Sequence, residues 1–238
     1  MLILAFETSA KAAGAALHDG KKLLAEAYQN TGLTHSQTLM VMAEDLLKQC
    51  FLTASDVTHV AVAAGPGSFT GVRIGVAAAK GFAWGRELPC VGVSTLEAMA
   101  LNLGVYEGVM CACMDARRSQ VYNALFRAKE GKLERITPDR AIALAELKEE
   151  LKEELKTMQG PVYLVGDGAT LTHNTLSSEL PNLVLPPEHR LHQRGAGVAL
   201  AALEQIAAGA VTDGASLEPN YLRLSQAERE KLEKENNK

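Results

Sequence analysis

The stretch that decides the fold is residues 65–75, GPGSFTGVRIG. It follows the apolar run at 60–64 and leads into an alanine-rich segment that ends near Trp84. The glycines and the proline at its start stop a strand, and Ser68 has the side chain of a helix N-cap. The pattern therefore predicts a buried strand, a tight turn and a helix over 68–84.

Small residues recur along that helix at a spacing of three or four: Gly71, Gly75 and Ala78 or Ala79. One face of the helix therefore has almost no side chains, and another backbone can approach it closely. We expect the rest of the chain to be arranged around this face.

The segments upstream of residue 65 predict three antiparallel strands and a helix. The strands are expected at 2–6, 12–17 and 22–28, the helix at 34–50 and a fourth strand at 57–64. Downstream, a strand at 89–93 and a helix at 94–103 complete the first half of the chain.

The second half of the chain repeats this order. Strands are expected at 108–114, 120–128 and 132–136, a charged helix starting at Pro138 or Asp139, and a fourth strand at 161–165. A helical stretch, a short strand at 183–185 and an alanine-rich helix at 195–208 follow.

A doubled β-β-β-α-β-α plan predicts an α/β protein made of duplicated ribonuclease-H-like (actin-like ATPase, ASKHA) domains. Each domain is expected to be a mixed five-stranded sheet flanked by helices, with an acidic residue, Glu7 or Asp115, at the end of its first strand. The expected domains are 1–105 and 106–225. The C-terminal helical region of about 195–225 is expected to pack back on the first domain, and 226–238 is expected to be a charged, frayed tail.

Composition and charge exclude several function classes. Of the 238 residues, 47% are hydrophobic and 22% are charged, which is typical of a soluble globular protein. A formal net charge of −4 argues against a stand-alone nucleic-acid-binding protein, because phosphate neutralisation needs surplus lysine and arginine. The apolar N-terminus has no preceding basic residues and is interrupted at Glu7, so we expect neither a signal peptide nor a membrane span, and a cytoplasmic location.

An ATP-dependent phosphotransferase or ATPase is one alternative for this fold. Its cofactor contacts would be the residues after the first strand of one half and the glycine-rich turn of the other. The glycine spacing around residue 67 misses both the dinucleotide and the P-loop pattern, which weakens this alternative. The candidate cleft residues are Glu7, Thr8, Ser9, Gly166, Asp167 and Gly168. Two arginines, Arg117 and Arg118, are candidates for an anion contact, although two adjacent arginines after a strand are more often simply solvated.

Several motifs taken together carry a specific family resemblance. They are LAFETS at 4–9, GPGSFTGVRIG at 65–75 with AKG at 79–81, VSTLEA at 93–98, DARR at 115–118 and PNYLR at 219–223. With this set, the chain resembles the bacterial TsaB family, also called YeaZ, over nearly its whole length.

The resemblance implies a role in making N6-threonylcarbamoyladenosine (t6A) at position 37 of tRNAs that read codons beginning with A. In that family's pathway the transfer is catalysed by the paralogue TsaD, and TsaE is an ATP-binding third partner. The resemblance therefore implies a non-catalytic scaffold with no catalytic residue and no cofactor of its own, which reaches tRNA through the complex. A glycoprotease-like metallopeptidase is the weakest alternative, because neither H-E-x-x-H nor G-x-S-x-G occurs.

The metal ligands of TsaD-like proteins are an H-x-x-x-H pair on the helix after the strand that corresponds to 89–93. The matching positions here are Thr95 and Met99, and no histidine lies between His59 and His173. Neither a threonine hydroxyl nor a methionine thioether suits that metal, so no metal site is expected.

The resemblance also implies an interface made by the helices at 34–50 and 68–84. They would form a helical bundle with the same helices of TsaD in a heterodimer, or of a second copy in a homodimer. Packing against the chain's own sheet is the alternative for each residue. The residues expected at the interface are Leu39, Met42, Leu46, Gly71, Val72, Gly75, Val76, Ala79 and Ala83.

Overall fold

The computed structural model describes residues 1–104, 106–157 and 160–223 of the chain. Its strands are β1 (Ile3–Glu7), β2 (Ala13–His18), β3 (Leu23–Gln29), β4 (His59–Gly65), β5 (Cys90–Ser94), β6 (Gly108–Asp115), β7 (Gln120–Lys129), β8 (Lys132–Arg135), β9 (Arg140–Ala143), β10 (Val162–Val165) and β11 (Leu183–Val184). Its helices are α1 (His35–Gln49), α2 (Phe69–Ala83), α3 (Thr95–Leu101), α4 (Leu144–Thr157), α5 (Ala169–Leu176), α6 (Glu188–Leu191) and α7 (Gly195–Ala207), with a 3-10 turn at Ala54–Asp56. The tail expected at 226–238 lies outside the described residues.

The first sheet has five strands in the order β3-β2-β1-β4-β5. β1, β2 and β3 pair antiparallel as a meander, and β4 and β5 continue parallel to β1. This is the ribonuclease-H-like strand order, and the meander predicted at 2–28 is confirmed.

The second sheet repeats that order as β8-β7-β6-β10-β11, with the same alternation of antiparallel and parallel pairs. The duplicated α/β fold is thus confirmed, although this sheet has six strands where five were predicted. The extra strand is β9, at the place where a helix was expected from Pro138 or Asp139. It forms because β7 is ten residues long, so that β8 pairs with the end of β7 and β9 with its beginning.

Helix α2 begins where the sequence predicts, because Ser68 is its N-cap and the hydroxyl accepts a hydrogen bond from the amide of Gly71. Ser94 caps α3 in the same way, accepting from the amide of Glu97. Thr34 precedes α1 in an extended conformation, but its side chain makes no capping hydrogen bond.

Four apolar clusters join these elements into layers. Helices α1 and α2 cover one face of the first sheet, and α7 covers the other face. Helix α3 lies between the two halves and packs on β6 and β7, while α4 and α5 cover the far face of the second sheet. The first half is therefore completed by α7, which follows the second half in sequence.

No helix among the described residues is both long enough and apolar enough to cross a membrane.

Candidate functional site

A cleft of about 600 Å³ lies between the two halves, where β1, β4, β6 and β10 all end. β1 and β4 are parallel neighbours in the first sheet, and β6 and β10 are parallel neighbours in the second, so each pair ends at one edge of its sheet. The turns that follow the two pairs meet at the cleft. Three parts of the chain line the cleft: first-half residues 9–11 and 66–70, second-half residues 114–117, 122 and 167, and residues 220–223 near the C-terminus.

Glu7, at the end of β1, is fully buried behind this cleft. Its Oε1 accepts a hydrogen bond of 2.6 Å from the amide of Ser9, and its Oε2 has no partner among the described residues. Burial raises the pKa of Glu7 from its usual value of 4.5 to about 7, and the nearby charge of Asp167 adds to the effect. Glu7 therefore titrates near neutral pH inside the protein.

Asp167 lies on the second-half side, in the turn between β10 and α5. Its Oδ1 accepts a hydrogen bond of 3.1 Å from Nε2 of Gln193, a residue that is itself fully buried. Burial raises the pKa of Asp167, while the bond from Gln193 opposes that rise. Burial therefore raises the pKa of a carboxyl group on each side of the cleft, and each group accepts a hydrogen bond from within the chain.

The predicted cofactor residues are only partly brought together at the cleft. Ser9 and Asp167 line it, whereas Glu7 and Thr8 do not. Gly166 and Gly168 pack on the backbone of β6, where a Cβ would collide with Cys113 and Met114. The close contact between this turn and β6 explains why both residues are glycines. A nucleotide bound next to them is not needed to explain their presence.

The small face of α2 packs on the end of β1. A Cβ on Gly71 would collide with the carbonyl oxygen of Thr8, and one on Gly75 would lie 2.5 Å from Oγ1 of Thr8. That hydroxyl also donates a hydrogen bond of 2.8 Å to the carbonyl of Gly71. The close approach predicted from the glycine spacing is present, but it is made by Thr8 of the same chain and leaves no room there for a partner helix.

The interface prediction consequently needs correction at the residue level. Most of the nine residues are buried in the core between α1, α2 and the first sheet, because the sheet and the neighbouring helix together cover their wide apolar arcs. The buried ones are Leu39, Leu46, Gly71, Val72, Gly75, Val76, Ala79 and Ala83, while Met42 is half-buried.

Other apolar side chains of α1 and α2, or next to their ends, point to solvent. They are Leu33 (54% exposed), Met40 (42%), Val41 (56%), Phe51 (98%) and Trp84 (77%). Within α2, Arg73 and Ala77 are also exposed. A partner that binds these two helices would therefore meet this outer set of residues, which the sequence periodicity did not select.

Thr95 and Met99 lie one turn apart on α3, and both are fully buried. Met99 packs in the apolar cluster between the halves, with its sulfur close to Gly166. The hydroxyl of Thr95 has no hydrogen-bond partner among the described residues. A thioether that packs in an apolar core and a single hydroxyl do not make the donor set of a Mg²⁺, iron or zinc site.

The C-terminal strap, residues 217–223, is the part of the cleft whose role the sequence did not reveal. Asn220, Tyr221, Leu222 and Arg223 all line the cleft. The PNYLR motif marks the segment in the sequence, but nothing in its composition tells which surface it crosses. Of the two arginines proposed for an anion contact, Arg117 lines the cleft, and Arg118 is exposed outside its lining.

Comparison with known proteins gives a consistent set of relatives. Residues 29–231 match the family model described as TsaD, tRNA N6-adenosine threonylcarbamoyltransferase. The chain is 36% identical to the tRNA threonylcarbamoyladenosine biosynthesis protein TsaB of Bacillus subtilis, over 98% of this chain and 99% of that protein. It is 34% identical to the protein of the same name from Escherichia coli, over 71% of this chain and 72% of that one. The solved structure of YeaZ from Pseudomonas aeruginosa shares the fold, with a TM-score of 0.72 and 22% identity over 93% of this chain and 99% of that one.

Proposed function

The chain belongs to the TsaB (YeaZ) family of tRNA threonylcarbamoyladenosine biosynthesis proteins, and on that premise we propose that it is a non-catalytic subunit required for threonylcarbamoyl transfer to N6 of adenosine 37. In this proposal it acts by pairing with TsaD, which carries out the transfer, and with TsaE. tRNA is reached through the complex.

The observation that carries the proposal is the pair of side chains at Thr95 and Met99. These positions correspond to the metal-binding histidines that the family resemblance assigns to TsaD-like proteins. Here both side chains are buried, and Met99 fills apolar space between the halves. A threonine and a methionine at these positions support a subunit in which the place of the metal site has become part of the packed core.

The outer face of α1 and α2 supports the choice of a protein partner. Met40, Val41 and Trp84 expose apolar surface on or next to two adjacent helices. Exposed apolar groups on adjacent elements are typical of a surface that is covered in a complex. We assign this face to TsaD, with a second copy of this chain as its occupant when TsaD is absent.

The experiment that tests the function is t6A formation on unmodified tRNA with TsaD, TsaE and the adenylate-forming enzyme, with and without this chain. Dependence on the chain is expected, and t6A formation without it would contradict the proposal. The pure chain is also incubated with ATP. Turnover without any partner would instead support the phosphotransferase alternative.

The partner surface is tested by Val41→Glu, with Leu200→Glu as the matched control. Both residues are exposed and apolar, but Leu200 lies on α7, on the opposite side of the first sheet. Burying the new carboxylate at an interface is expected to weaken TsaD binding by about tenfold or more, measured by titration calorimetry. Leu200→Glu is expected to bind normally, and equal weakening by both variants would place the interface elsewhere.

A further inference from the structure

The strap is fixed firmly to the first half. Leu217 is buried in the core beneath α1 and α2, and the amide of Asn220 donates a hydrogen bond of 2.6 Å to the carbonyl of Ala64. Gly65, with a φ of +122°, permits this contact, since a Cβ there would collide with the carbonyl of Asn220. The beginning of the strap therefore behaves as part of the first half.

An aromatic contact extends this attachment to Tyr221. Its ring stacks on Phe69 with the centroids 4.7 Å apart, and its hydroxyl oxygen accepts a hydrogen bond of 2.8 Å from Nε of Arg73. The guanidinium of Arg73 also lies 3.8 Å from the centre of the Phe69 ring. Tyr221 is thus held against the first turn of α2.

The strap reaches the second half through a different kind of contact. Within the described part of the chain, its hydrogen bonding to that half is the single bond of 2.9 Å from Nη1 of Arg223 to the carbonyl of Ala116. One bond from a half-buried side chain forms and breaks far more readily than a buried apolar anchor. The two ends of the strap therefore differ in how easily they come free.

The loop that receives this bond, residues 115–119, is itself strained. Arg117, Arg118 and Ser119 have φ values of +63°, +56° and +56°, a left-handed conformation that non-glycine residues rarely adopt. Three such residues in succession persist only where surrounding contacts hold them. The bond from Arg223 is one of these contacts, together with the bond of 2.7 Å from the amide of Arg117 to Asp115.

We propose that the strap is a latch across the cleft, in which the bond from Arg223 to Ala116 is the releasable contact. The same loop forms the second-half wall of the cleft, so breaking the bond frees this wall to relax away from the strap and widen the opening. The apolar packing of α3 between the halves is unaffected, and the motion is confined to the loop.

The test is hydrogen–deuterium exchange of the amides of residues 116–120 in the full chain. Several of these amides are hydrogen-bonded, including those of Ala116 and Gln120. Arg223→Ala is expected to speed their exchange by about threefold to tenfold. Arg223→Lys, which keeps a charged donor, is expected to restore most of the protection.

Lys80→Ala is the matched control. Nζ of Lys80 donates a hydrogen bond of 3.0 Å to the carbonyl of Ala215, which is also a bond from a cation to the backbone, but it joins α2 to the segment just before the strap and does not reach the second half. The control variant is expected to leave exchange at 116–120 unchanged. Unchanged exchange in Arg223→Ala, or equal acceleration by Lys80→Ala, would overturn the latch. So would a matching acceleration at 110–113 in β6, because it would mean that the whole second sheet had loosened.

Discussion

The first strands of the two halves end in carboxylates at equivalent places, yet the surroundings of the two groups are opposite. Glu7 is fully buried with a pKa of about 7, whereas Asp115 is exposed and lines the cleft. The chain passes from Glu7 under the small face of α2, but from Asp115 it turns outward into a strained loop. The two halves share one backbone plan, but the end of β1 is closed by packing and the equivalent end of β6 is open to solvent.

The largest expected change in stability comes from Gly71→Ala, which disturbs the packing of α2 at the end of β1. The added Cβ would collide with the carbonyl of Thr8, and a backbone atom cannot move aside cheaply. We expect a loss of about 3 kcal/mol or more in the free energy of unfolding, measured by urea denaturation. Gly81→Ala, on the same helix with open space around it, is the control and should be neutral or slightly stabilising. Equal losses in both variants would refute the close contact.

The second-largest expected change in stability comes from Glu7→Gln, which removes the charge of the buried carboxyl group. A folded-state pKa above the unfolded value means that stability is full below about pH 4.5 and falls as the pH rises through 7. The difference corresponds to about 3 kcal/mol at most, and the new amide has to find a partner, so we expect a gain of about 2 kcal/mol at pH 8 and little change at pH 4.5.

Asp115→Asn is the control for that pH dependence. Because Asp115 is exposed, its substitution should change stability by less than about 0.5 kcal/mol at either pH. Thermal unfolding from pH 4.5 to 8 compares the two variants. A Glu7→Gln gain that does not depend on pH would contradict the buried titration.

The smallest effect concerns the start of α2, beside the closed end. Ser68→Ala removes the hydroxyl that accepts from the amide of Gly71, and a loss of about 1 kcal/mol is expected. Thr34→Ala at the start of α1 removes no capping bond and should change stability by less than about 0.5 kcal/mol. Chemical denaturation measures the free energy of unfolding of both variants. A larger loss in Thr34→Ala than in Ser68→Ala would contradict the stronger capping of α2.

Local patterns predicted the elements of the fold well, since alternation, turn residues and caps are encoded within a few residues of each other. The glycine-rich turn and α2 are the clearest case, because the cap at Ser68 and the spacing of Gly71 and Gly75 act within one helix. Strand β9 was missed because its four residues are stabilised by pairing with β7, some twenty residues away, while Pro138 locally favours a helix start.

The candidate site was harder to predict, since it depends on which surfaces meet. The glycines of α2 indicate a close backbone contact, but their spacing cannot tell that the contact is Thr8 and not another protein. For the same reason the apolar arcs of α1 and α2 suggested an interface, although two layers of the chain's own structure cover most of them. The PNYLR motif marks Tyr221 and Arg223 in the sequence, but their contacts could be found only once the chain was folded, because their partners lie more than a hundred residues upstream.

The placement of α7 on the first sheet has a consequence for synthesis on the ribosome. One face of that sheet, with Ile3, Ala61 and Val91, lacks the helix that covers most of it until residues 195–207 have been made, and Leu217 is needed to finish the core on the other side. All the strands of the second sheet are translated before then. The half that is made first is therefore the half that matures last, and the nascent chain carries an incompletely covered apolar sheet while the second sheet is translated.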